Sequence, residues 1–83
     1  MLEIVKKLMH FGMSFEYEHR GANGQVVRCG ELGVEVEETI NGKVNYEDSE
    51  RSFVNLLDIN NETYLRLARY VEEACARKNA SFL

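Results

Sequence analysis

The chain has no proline, no tryptophan and only two cysteines, and no apolar run long enough to cross a bilayer as a helix. Each shortage narrows the field. A membrane-spanning helix needs about 18 or more consecutive apolar residues, and no stretch approaches that length. The segment Met1-Leu2-Glu3-Ile4-Val5-Lys6-Lys7-Leu8 is broken by charge before it reaches the roughly 7 to 15 apolar residues of a signal sequence, so the expected compartment is the cytoplasm. The sequons Asn61-Glu62-Thr63 and Asn79-Ala80-Ser81 would meet no glycosylation machinery there. Cys29 and Cys75 lie 46 positions apart, with no CxxC spacing, and read as two buried thiols rather than a zinc knuckle or a disulfide scaffold.

Basic charge is also scarce. Ten Lys+Arg against 14 Asp+Glu leave a net charge of -4 and a pI near 5.1, which disfavours binding to nucleic-acid phosphates by counterion release. With 83 residues, 45% hydrophobic and 29% charged, the composition is that of one small globular domain over residues 1–83, not of a disordered chain.

Hydrophobic periodicity sets the expected elements. Leu2, Val5, Leu8 and Met9 recur at helical spacing opposite Glu3, Lys6 and Lys7, and Gly12 ends that helix. From Met13 the period becomes two, predicting a strand to about Arg20, a turn at Gly21-Ala22-Asn23-Gly24, and a second strand from Gln25 to Cys29. A three-residue loop, Ala22-Asn23-Gly24, would pair Tyr17 with Cys29 and His19 with Val27, placing Phe15, Tyr17, Val27 and Cys29 on one face. Gly30 and Gly33 mark a bend before a third strand, Val34 to Ile40. Asn41-Gly42 then turns the chain into a fourth, Val44 to Glu47, whose Val44 and Tyr46 share the face of Val34 and Val36 if the loop length is odd. Asp48 to Arg51 reads as a polar linker, and the apolar cluster Phe53, Val54, Leu56 and Leu57 fits either a strand or a helical turn, with a last strand the preferred reading.

From Asn60 the helical period returns. Leu65, Ala68, Val71 and Cys75 form the expected core stripe, broadened by Tyr64, Leu67 and Ala74, with Asn60 or Asn61 as the cap and residues 79–83 as a frayed tail. The expected fold class is α+β. An N-terminal helix precedes an antiparallel sheet of four strands, five with Phe53 to Leu57, built from two hairpins, and a long C-terminal helix packs on one sheet face.

Catalytic signatures are missing: there is no GxSxG, HExxH, P-loop or GxGxxG pattern. His19 and Cys29 fall diagonally on one face, and His10 ends the first helix, but no third and fourth ligand accompany them, so neither metal nor cofactor is expected. The informative feature is an acidic sheet face. Strand parity turns Glu16, Glu18, Glu35, Glu37 and Glu47 outward, with Glu31, Asp48 and Glu50 at the margins and Arg20, Arg28 and Lys43 as partial counterweights. Such a face meets a protein partner with a basic surface. The expected function is therefore a non-enzymatic binding module that inhibits or regulates a partner, a nucleic-acid-processing enzyme being the class considered. Phage and mobile-element antagonists share this size and charge, an analogy carried by no motif. One alternative is a homodimer through a sheet edge that no proline guards. Another is a nucleic-acid-binding regulator using Arg66, Arg69, Arg77 and Lys78 of the last helix.

Overall fold

Alternation of apolar and charged residues over Gln25–Asp48 produces strands with one dry face, and the turns between them keep that face in phase. In the computed structural model these strands belong to a five-stranded antiparallel meander: β1 (Glu16–His19), β2 (Gln25–Cys29), β3 (Val34–Glu38), β4 (Lys43–Asp48) and β5 (Phe53–Asp58), in that spatial order. Helix α1 (Leu2–His10) precedes the sheet and α2 (Asn61–Ala80) follows it. The structure describes residues 1–39, 41–49, 53–58 and 60–80. The expected α+β plan holds, with the Phe53–Asp58 segment adding a fifth strand against β4.

The dry face is built in rungs. Val27 stands opposite Val36 and Val36 opposite Tyr46; Cys29 stands opposite Val34 and Val34 opposite Asp48. The apolar members of these rungs pack with Ile4 and Leu8 of α1 and with Leu67, Val71, Ala74 and Cys75 of α2 into one buried cluster. Each Val, Leu or Ile among them contributes about 1.5 to 3 kcal/mol when fully buried. Asn60 caps α2, accepting a 2.8 Å hydrogen bond from the Thr63 amide on Oδ1, and Lys7 joins α1 to Glu72 of α2 at 3.0 Å.

The first hairpin departs from the expected register. Tyr17 pairs with Val27 and His19 with Gln25, two residues away from the expected pairing. The parity is unchanged, so no side chain has moved to the other face. The longer connection closes through a 3-10 turn at Gly21–Asn23 and a 2.8 Å bond from the Arg20 amide to the Gly24 carbonyl. Gly24 has φ 98 and ψ -156, a conformation that only glycine adopts readily, and a Cβ there would lie 1.9 Å from the Glu38 carbonyl oxygen. Strand β1 is correspondingly short, and residues 13–15 precede it as irregular chain, with Met13 buried and Phe15 packed on the cluster.

Helix faces are also rotated from expectation. In α1 the buried residues are Ile4 and Leu8, while Leu2 is 64% and Met9 66% exposed. In α2 the expected Ala68, Val71 and Cys75 are buried with Leu67 and Ala74, but Leu65 is 56% exposed and Thr63 joins the buried row instead. Both helices carry more apolar residues than one contact face accommodates, so the sheet selects the stripe. At its C-terminal end α2 continues through Asn79 and Ala80; residues 81–83 of the expected frayed tail lie outside the described residues.

Asp48 is not linker. It ends β4 with 2% exposure, accepts a 2.9 Å charge-paired hydrogen bond from Arg77 Nη2, and lies 3.4 Å from the Tyr46 hydroxyl. This pair ties the end of β4 to the last turns of α2. Glu50 and Arg51 of the expected linker lie outside the described residues.

Two stability measurements check this packing. In urea melts, Leu67→Ala should cost about 2 to 5 kcal/mol and Leu65→Ala less than about 1 kcal/mol; the reverse order would mean that α2 presents its other side. Asp48→Ala, which removes the buried carboxylate that Arg77 bonds, should cost about 1.5 to 3 kcal/mol. An unchanged midpoint would show that the pair holds nothing together.

Candidate protein-binding surface

The helices leave the second sheet face uncovered, and strand parity places the glutamates there. The register aligns them in two rungs. Glu16 stands opposite Arg28, Arg28 opposite Glu35 and Glu35 opposite Glu47; Glu18 stands opposite Val26, Val26 opposite Glu37 and Glu37 opposite Asn45. All five glutamates singled out in the sequence thus fall on one face, spread over three strands.

Their charges are unevenly neutralised. The Arg20 guanidinium lies 3.1 Å from Glu18 and 3.1 Å from Glu37. Arg28 is 3.5 Å from Glu35 and 3.7 Å from Glu18. Hydrogen bonding to Glu18 raises the proton affinity of Arg20 further above its ordinary value. The Arg20 bridge has a second consequence, because the two carboxylates it joins flank Val26 in the rung. Val26 is 1% exposed although it lies outside the core cluster, on the nominally wet face. A charged strap thus covers an apolar side chain. Among the described residues, Glu16 and Glu47 have no ion-pair partner; Glu47 accepts a 3.3 Å hydrogen bond from the Asn45 side chain. The uncompensated charge therefore sits on one rung, at Glu16 on the edge strand β1 and at Glu47 on the interior strand β4.

Strand β1 is bonded to β2 on one side only, and all four of its residues are exposed. Between it and α1 runs a groove of about 520 Å³ lined by Met1, Leu2, Val5, Tyr17 and Gln25. The Tyr17 hydroxyl donates to Gln25 Oε1, and Gln25 Nε2 donates in turn to Glu38, which fixes the aromatic ring that forms one wall. Tyr17 is 49% exposed, so the expectation that it joins the core is corrected: its face is right, but the sheet ends beside it. The groove was not singled out in the sequence. A signal was present, since Met1, Leu2, Ile4, Val5, Leu8 and Met9 wrap more of a nine-residue helix than one buried stripe requires.

The histidine and thiol groups are dispersed. The register shift sets His19 four residues along β2 from the rung of Cys29, about 13 Å at 3.3 Å per residue, in place of the expected diagonal contact. The Gly21 amide donates to His19 Nδ1 at 3.3 Å, and His10 packs edge-on against Phe11 with centroids 5.0 Å apart. Among the described residues no group of His, Cys, Asp or Glu is placed to hold a metal ion. No family model, curated protein or solved structure matches the chain.

Cys29 and Cys75 are both buried, as expected, and Cys29 Sγ donates to the Ser14 carbonyl at 3.4 Å. Burial pushes the Cys75 thiol up to about 11, with Cys29 and Glu72 nearby adding to the effect, and burial likewise raises Cys29. A raised thiol pKa stabilises the folded state fully below the unfolded value, and that contribution is lost as pH rises through the folded value. Stability should therefore fall between about pH 9 and pH 11. At pH 8 a thiol reagent should titrate neither cysteine in the native protein and both in denaturant, and rapid native labelling of either would contradict this packing.

Proposed function

We propose that this chain is a non-enzymatic protein-binding module that inhibits or regulates a partner with a basic surface. The observation that carries the reading is the distribution of charge on the uncovered sheet face. Five carboxylates, Glu16, Glu18, Glu35, Glu37 and Glu47, face three cations, Arg20, Arg28 and Lys43, and the excess lies at Glu16 and Glu47. Paired charges on a face cost desolvation without steering an encounter, whereas carboxylates outside those pairs attract a basic surface and, by their spacing, select its orientation. Enzymes that process nucleic acids present such surfaces to phosphate, which makes them the partner class considered first, with the cytoplasm as the compartment.

The test is affinity capture from lysate of the native host at low and high salt, repeated with Glu16→Lys and Glu47→Lys combined. A stoichiometric partner that high salt releases, and that the double variant no longer retains while keeping its circular dichroism, is the expected result. Retention unaffected by both salt and charge reversal would end the reading.

A further inference from the structure

The groove beside β1 deepens that reading and rests on it. We infer that the β1 edge receives an extended segment of the partner as an added sixth strand, with apolar residues alternating with Lys or Arg. Three features of the edge specify this occupant. Strand β1 is an edge strand whose alternate residues direct backbone N–H and C=O groups to the side away from β2, and such groups recruit another strand when nothing covers them. Side chains of an added strand alternate between the two sheet faces. Those on the helix side would enter the groove between Tyr17 and the Leu2 and Val5 side chains of α1, whose mostly apolar lining favours apolar groups. Those on the other side would stand beside Glu16, which has no ion-pair partner among the described residues, and Glu18. That position suits a cation.

Charge also argues against a second copy of this chain. Two antiparallel registers keep Tyr17 on the helix side while pairing three residues of β1 with three of another β1. One sets Glu16 against Glu18 twice, and the other sets Glu18 against Glu18. Like charges directly opposite across a strand pair are destabilising. A segment with Lys or Arg at those positions reverses the sign of that interaction.

The probe is a random decapeptide library displayed on particles and selected against the full chain, with the selected peptides then measured in solution. The expected consensus has apolar residues at every second position interleaved with Lys or Arg. The strongest peptide should shift the amide resonances of Glu16–His19 and of Leu2 and Val5. Leu2→Glu or Tyr17→Glu, both at exposed positions, should weaken it about tenfold or more, the loss typical of an aromatic or apolar anchor. N-methylation of one backbone amide in the peptide should abolish binding. A consensus without this alternation, or indifference to both groove substitutions, overturns the inference. If Glu47→Lys alone abolishes binding and the groove variants do not, the added strand is wrong and the acidic face stands. A stable dimer of the chain that Tyr17→Glu dissociates would make a second copy the occupant and overturn the inference. Failure to select any peptide overturns it too, while salt-dependent retention in the capture experiment would independently uphold the acidic face.

Discussion

Burial of the rung Val27–Val36–Tyr46 beneath α1 and α2 is the constraint from which the rest of the molecule follows. Once these three side chains are dry, the two-residue period of a strand sends Arg28, Glu35, Glu37 and Glu47 to the opposite face. Each turn must then preserve parity, and the turns do so in different ways. The first closes over five residues from Arg20 to Gly24, and the third, between β3 and β4, through a bond from the Thr39 amide to the Lys43 carbonyl. Gly33, at φ 65 and with Ser49 Oγ 2.1 Å from where its Cβ would be, lets the end of β4 close against the start of β3. The acidic face is thus a by-product of the core before it is anything else.

A small core with one wet face needs devices that hold its layers in register. The Asp48–Arg77 pair is one, binding the sheet to the helix from inside. Such a pair gains little net energy over an apolar replacement, but removing one partner strands a charge, so it penalises misalignment of β4 and α2. Arg20 works on the other face, joining Glu18 and Glu37 across Val26. One arginine serves the core and the other the surface, and each turns a local charge pattern into a tertiary contact.

The same neutralisation shapes the proposed binding surface. Arg28 and Arg20 quiet the middle of the sheet and leave charge at Glu16, beside the uncovered edge and the apolar groove under α1. Backbone groups, apolar lining and negative charge converge at β1. A partner read there would be recognised by its backbone first, by its alternating side chains second, and by its charge during approach.

Periodicity by itself determined the two helices, the first four strands and their order, the inward parity of Val27, Cys29, Val34, Val36, Val44 and Tyr46, and the outward parity of the five glutamates, because these depend only on the repeat along one element. Phe53 to Leu57 fits strand and helical turn alike, and pairing with β4 makes it a strand. Local sequence also narrowed the cap of the last helix to Asn60 or Asn61, and the hydrogen bond from the Thr63 amide selects Asn60. Tertiary structure decided the rest. The first hairpin could pair in registers two residues apart with equal parity, and loop closure around Gly24 and Glu38 selected one. Leu2, Met9 and Leu65 fit a helical stripe as well as Ile4 and Leu67 do, and only the sheet's shape determined which of them it would cover. Asp48 looked like linker because its partner, Arg77, is 29 residues away. The groove at β1 joins Leu2 to Tyr17 across fifteen positions of chain, so no local pattern contains it.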